Sequence, residues 1–211
     1  LKPLTRAEEV AGGYDSPIAW AIEGDGNACP YVAGRHFRGL KNGPSPRWLQ
    51  QRLRAIGLRP ISALVDITNF VTFDLGRPLH VFDAKKLSGK TLGMRRARLG
   101  EELAGLNGKT YPLDDGMTVI ADGAGVQGLG GILGGAASGV GEETTEVFLE
   151  VALFDPTAIA RSGRKLALAS DARYRFERGV DPQSALWGMQ VATRLILDLC
   201  GVTASAWSWY Q

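Results

Sequence analysis

The sequence predicts an α+β domain in which a mixed or antiparallel β-sheet core of unusual topology is flanked by helices, and not a doubly wound fold. Three observations carry this prediction. Helix-spaced apolar residues mark both the stretch after residue 45 and the last third of the chain, β signals fill the middle, and the two kinds do not alternate as βα units require. Nine glycines fall between residues 123 and 141, each weakening a helix by about 1 kcal/mol relative to alanine. The 211 residues are 45% hydrophobic and 22% charged, the balance of a chain that can bury a sizeable core.

Residues 1–27 carry little apolar pattern and many Gly and Asp residues, and read as a connector or edge segment; residues 28–211 read as one domain. From Cys29, the apolar positions Tyr31, Ala33 and Phe37 predict a strand to about Gly39. Gly43-Pro44-Ser45-Pro46 predicts a turn and a helix start, with Ser45 as N-cap and Pro46 in the first turn. Trp48, Leu49, Leu53 and Ile56 continue that helix to Gly57. Residues 62–75 support two readings: Val65, Ile67, Val71, Phe73 and Leu75 alternate with polar residues as in a strand, while Leu64, Ile67, Val71 and Leu75 form a helical stripe.

Strands are expected over Thr91–Arg98, Met117–Ala121 and Thr145–Leu153, with a tight hairpin at Leu106-Asn107-Gly108-Lys109. Asp155-Pro156 and Asp181-Pro182 each read as an N-cap followed by a first-turn proline. Leu186, Met189, Ala192, Leu195, Ile196 and Leu199 then give a helical stripe that stops at Gly201.

Several function classes are excluded by pattern. Gly123-Ala124-Gly125-Val126-Gln127-Gly128 has dinucleotide-fingerprint spacing, but the glycines that follow do not open the helix a pyrophosphate needs, so it reads as a glycine-rich β hairpin. Gly108-Lys109-Thr110 lacks the first glycine of a phosphate loop, since residue 103 is Leu. Two histidines and two distant cysteines make no recognisable zinc site, and no metal is expected. Ser138 sits between Ala136 and Val140, not in a nucleophile elbow. No apolar run reaches the length of a membrane span. Cys29 and Cys200 allow at most one bridge, and a reduced, cytoplasmic setting is expected. The start at Leu1 without Met reads as a piece of a longer chain.

Lys+Arg 24 against Asp+Glu 22 leaves no bulk attraction for nucleic acid. Any RNA contact must come from local groups such as Arg161, Arg164, Lys165, Arg173, Arg175 and Arg178, or Arg35, Arg38, Lys41, Arg47, Arg52, Arg54 and Arg59. These groups read equally as internal salt bridges.

Taken together, Ser45-Pro46-Arg47-Trp48-Leu49, Gly57-Leu58-Arg59-Pro60-Ile61, Val65-Asp66-Ile67-Thr68-Asn69-Phe70-Val71, Leu75-Gly76-Arg77-Pro78-Leu79-His80-Val81-Phe82-Asp83, Gly131-Ile132-Leu133-Gly134-Gly135, Phe148-Leu149-Glu150 and the run from Ser170 to Pro182 resemble one family. It is the editing domain of the bacterial phenylalanyl-tRNA synthetase β subunit, matched in order over roughly residues 28–200. The resemblance implies a hydrolase that removes tyrosine wrongly attached to the phenylalanine tRNA. Its implied partners are tRNA and, for the full-length protein, a synthetase α subunit in an α2β2 tetramer. ATP and Mg²⁺ would serve the parent enzyme and not this domain.

By the same resemblance, Glu150 would accept the tyrosine hydroxyl, Gly134 and Ala172 would wall the pocket, and Ser170 stands where many relatives have Thr. His80 would orient water or the ester, and Thr68 and Asn69 would line the cavity near the tRNA end. The family also leans toward helix for residues 63–75. This sequence departs from it at Ala136-Ala137, where many relatives carry a glutamate, and at Ser62-Ala63, where asparagines are common. Two alternatives stay open: a non-hydrolytic scaffold or tRNA-binding module of the synthetase, and a free-standing trans-editing domain.

Overall fold

A computed structural model describes residues 9–24 and 29–210, with the side chain of Tyr210 outside the description. The readings placed on Leu1–Arg6 and on Asp25-Gly26 lie outside the described residues. In chain order the elements are β1 (Ala19–Ile22), β2 (Tyr31–Arg38), α1 (Arg47–Ala55), α2 (Ala63–Asp74), β3 (His80–Asp83) and a single 3₁₀ turn (Ala84–Lys86). Next come β4 (Thr91–Arg96), β5 (Glu102–Ala104), β6 (Thr110–Pro112), β7 (Thr118–Ala121), β8 (Val126–Leu129), β9 (Leu133–Gly134) and β10 (Glu146–Leu153). The chain closes with α3 (Pro156–Lys165), α4 (Asp171–Phe176), α5 (Ser184–Cys200) and β11 (Thr203–Tyr210).

Two sheets organise the molecule. One has the order β1-β4-β7-β8-β9, with β1 parallel to β4 and the remaining pairs antiparallel; the other, β11-β2-β10-β3, is antiparallel throughout. A β5–β6 hairpin, turned at Asn107-Gly108 as the sequence predicts, is joined to the end of β9 by a bridge between Gly105 and Gly135. The fold is α+β and not doubly wound.

Strand β10 explains why there are two cores. Its eight residues, EVFLEVAL, are apolar on both faces apart from two glutamates. Val147, Leu149 and Val151 point to one side and pack with Leu49 and Leu53 of α1, Leu64, Ile67 and Val71 of α2, and Met189, Ala192 and Ile196 of α5. Phe148 and Ala152 point to the other, toward Leu92, Met94, Val119, Ile120 and Leu129 of the five-stranded sheet. A strand covered on both faces needs such a continuous apolar run.

Residues 63–74 are helical, which settles the ambiguous stretch. Leu64, Ile67 and Val71 are fully buried at helical spacing. The alternating pattern fails because its polar member Asp66 is also buried, accepting from the Ser45 hydroxyl and, at 2.8 Å, from the Ile61 N–H. Ser45 is therefore spent on Asp66 and does not cap α1, which begins at Arg47 with Pro46 in the cap position. Asp155 does cap α3, accepting from the Ala158 N–H at 2.7 Å.

Asp181 instead closes a turn through the Gln183 N–H, and α5 starts at Ser184. That helix is rotated slightly from the predicted stripe: Ala185, Met189, Ala192, Ile196 and Cys200 are buried while Leu186 is exposed. The chain does not end in helix, because β11 turns back beyond Gly201 to pair with β2. Cys29 and Cys200 are both buried free thiols. Among the described residues, no helix is long and apolar enough to cross a membrane.

Candidate functional site

The period of two along β10 puts Glu150 on the same face as Phe148 and Ala152, inside the core between the sheets. It is 5% exposed, and among the described residues its carboxylate accepts no hydrogen bond and joins no ion pair. Burial pushes its pKa up to about 8, against the pull of the Arg77 guanidinium. An ionised carboxylate in such a place is costly unless something pairs with it.

The ladder supplies the neighbour. Glu150 is the direct antiparallel partner of His80 in β3, so both side chains stand on one face of the sheet. The His80 ring packs edge-on against Phe82, with centroids 4.5 Å apart, and its Nε2 is buried without a hydrogen-bond partner among the described residues. Burial pushes the imidazole down to about 4. It is neutral at physiological pH, hence one donor and one acceptor and no resident charge.

Between these groups lies a cavity of about 160 Å³, lined by His80, Glu150, Gly134, Ala172 and apolar walls that include Phe82, Ile120, Leu129, Phe154 and Phe176. An apolar cavity of roughly 150 Å³ holds one benzene molecule, so this one has the size of a single aromatic ring. Gly134, in the short strand β9, forms the wall against His80. A methyl there would overlap the His80 ring, and it would reach within 2.9 Å of Leu106. Two aromatic rings close the far side, Phe154 and Phe176, packed edge-to-face at 5.0 Å.

Of the seven residues singled out in the sequence, four meet at this cavity: His80, Glu150, Gly134 and Ala172. Three do not line it. Ser170 caps α4, accepting from the Arg173 N–H at 3.0 Å, and so sets the helix that delivers Ala172 and Phe176 to the wall. The Thr68 hydroxyl donates to the Val65 carbonyl at 2.9 Å within α2. Asn69 sits half-buried beside it. The 123–128 glycine motif is the β7–β8 hairpin, and Gly128 lends its surface to the cavity wall.

Sequence reasoning missed Arg77, which is completely buried behind the site. It lies inside the quoted Leu75–Asp83 segment, but an arginine before proline carries no mark that separates a buried one from an exposed one. It also missed the phenylalanine walls, because an aromatic residue at a core position looks the same whether it packs solid or borders a hollow. Several of the basic residues are otherwise engaged. Arg173 and Arg178 pair with Glu177, Arg175 with Asp171 and Lys165 with Asp114. Arg35 donates to the Ser205 and Val10 carbonyls.

The fold is a two-sheet α+β arrangement, and one carboxyl, that of Glu150, borders its aromatic-sized hollow. The chain is a member of the B3/4 domain family, whose model matches residues 28–201. It is similar to the phenylalanine–tRNA ligase β subunits of Paramagnetospirillum magneticum, 62% identical over 97% of this chain and 26% of that protein, and of Rhodospirillum rubrum, 60% identical over 93% of this chain and 25% of that protein. The chain thus spans about a quarter of the length of these relatives. In fold it resembles an N-terminal fragment of the phenylalanyl-tRNA synthetase β subunit from Pyrococcus horikoshii, with a TM-score of 0.62 at 11% identity, over 96% of this chain and 55% of that one.

Proposed function

We propose that the chain is the editing domain of a phenylalanyl-tRNA synthetase β subunit and hydrolyses tyrosine misattached to the phenylalanine tRNA. The observation that carries the reading is one carboxyl, Glu150, at the end of an apolar cavity the size of one aromatic ring. Tyrosine differs from phenylalanine by a hydroxyl, and an apolar synthetic pocket rejects an added hydroxyl by only about 10²-fold. A second site that pairs with that hydroxyl reverses the preference, because phenylalanine leaves the buried acid unmatched, a loss of roughly 1–3 kcal/mol and more for a charge.

Glu150 suits this role in either protonation state, since a carboxyl always keeps an acceptor oxygen. With the ring between Phe82, Phe154 and Phe176 and its hydroxyl on Glu150, the ester end points out of the cavity. Water attacks the ester carbonyl there, the acyl–oxygen bond breaks, and the proton that water gives up goes to the departing ribose oxygen, releasing free tyrosine and uncharged tRNA. Neutral His80, which lines the same cavity, would orient that water or the ester. Thr68 and Asn69, on α2, would act at the tRNA end and not at the ring. No residue is assigned as general base.

In this reading the α subunit, within an α2β2 tetramer in the cytoplasm, carries ligation with ATP and Mg²⁺, and no step of editing is routed through either. The test is to present the chain with Tyr-charged and Phe-charged tRNA. Faster release of tyrosine is expected. Equal release of both amino acids, or none, would leave a scaffold or tRNA-binding module in its place.

A further inference from the structure

Behind Glu150, away from the cavity, the protein buries a second ionisable group. Arg77 lies in the loop between α2 and β3 and is 0% exposed. One of its terminal nitrogens donates to the Ala152 carbonyl on β10, two residues along from Glu150. Its Nε and other terminal nitrogen are buried with no partner among the described residues. The guanidinium lies over the Phe176 ring, 5.6 Å from its centroid. The stem occupies the place a side chain at position 188 would need: a Cβ on Gly188 would sit 2.7 Å from Arg77 Cγ. α5 therefore gives up a side chain in mid-helix to make room for this arginine, and β10 and α4 hold its head.

We propose that Arg77 is the positioning residue of the site, the fixed buried counter-charge that sets when Glu150 ionises and so how strongly Glu150 holds a phenolic hydroxyl. Several observations favour counter-charge over simple packing. A methionine would fill the same slot without burying donors, whereas the arginine carries two nitrogens into the core with no partner among the described residues. Arginine keeps its charge under burial where lysine sheds it. The other groups near the pair cannot substitute: His80 is neutral, the Cys29 thiol is pushed up to about 12 by burial and then by Glu150, and Tyr31 is raised by burial. Asp181 acts on Arg77 from the far side and opposes the effect that burial has on it. Among the described residues, Arg77 is the positive group that pulls against the effect of burial on Glu150. The link to a phenolic hydroxyl rests on the editing reading; the counter-charge does not.

The test follows the Glu150 carboxyl by ¹³C NMR as pH is raised, its resonance assigned by its disappearance in Glu150→Gln. Removing the positive charge in Arg77→Gln or Arg77→Met should move the Glu150 midpoint alkaline by one unit or more, while Arg77→Lys should move it less. In the unsubstituted chain, the Arg77 side-chain nitrogen resonances should shift with the same midpoint and become flat in Glu150→Gln, a readout that needs no Arg77 variant to fold. Unmoved midpoints in the neutral variants, or flat Arg77 resonances in the unsubstituted chain, would overturn the proposal. At a fixed pH below the midpoint, the preference for tyrosine over phenylalanine should weaken as the midpoint moves alkaline, because the carboxylate accepts a phenolic hydroxyl more strongly than the protonated acid does. Coupled resonances with no tyrosine preference in any form would leave the counter-charge standing and sink the editing reading alone.

Discussion

His80 and Glu150 stand directly opposite one another across the β3–β10 ladder; the carboxyl is buried, the imidazole is half-buried with its Nε2 enclosed, and both are held in their neutral forms at neutral pH. Burial moves the two in opposite senses, the imidazole down and the carboxyl up, because each loses water around its charged form. Their effects on stability therefore have opposite slopes with pH.

For Glu150 the folded value, about 8, lies above the ordinary 4.5. Between these values the folded chain keeps a proton that the unfolded chain has released, so stability falls as pH rises through that window. Glu150→Gln should flatten this decline and leave the protein more stable than the parent at pH 8, by on the order of a few kcal/mol. Denaturant midpoints at pH 5 and pH 8 check it; parallel curves for the two proteins would refute the burial cost.

For His80 the folded value, about 4, lies below 6.5. The unfolded chain gains a proton first as pH falls, so stability is lost between 6.5 and 4. A His80→Gln variant should lose that acid-side decline. In the parent, the His80 ring resonances should stay constant from pH 8 down to about 5.

Glu150→Ala should abolish the tyrosine-over-phenylalanine preference, a change of roughly ten- to hundredfold for one unmatched buried group. Single-turnover deacylation of both charged tRNAs measures it, and retained selectivity would remove Glu150 from its assigned role.

Ala172→Leu should close the cavity to an aromatic ring while leaving the fold intact, since the added carbons enter existing space. A tyrosine analogue should bind at least roughly tenfold more weakly, as expected for a methylene-scale obstruction. Gly134→Ala should do similar harm and also destabilise the protein by about 1–3 kcal/mol, because its methyl meets the His80 ring and not empty space.

Ser170→Ala should cost α4 its N-cap, about 1 kcal/mol, and Ser170→Thr should restore it. Thermal unfolding separates the two variants. If Ser170 acts only by placing the helix, both variants keep the same tyrosine preference.

Much of this was legible in the sequence where the cause is local. Strand β10, the Asn107-Gly108 hairpin, the Asp155 cap and the stop at Gly201 follow from patterns that neighbouring residues impose. The stretch 62–75 was not, because its alternation and its helical stripe are equally good until Ser45, 21 residues away, satisfies Asp66. Strand β11 was hidden behind the helical pattern that precedes it, and its partner β2 lies 165 or more residues earlier. At the site, the resemblance named the residues, but only folding shows that Glu150, His80, Gly134 and Ala172 share one hollow while Ser170 holds the wall in place. Arg77 was invisible for the same reason: what matters about it is what surrounds it.

Because β10 belongs to both hydrophobic cores, the acid that would read the guest cannot be moved without disturbing the beam on which the building rests. Reshaping the cavity without touching that strand falls to cheaper parts, the short α4 panel and the glycine-rich β8–β9 corner.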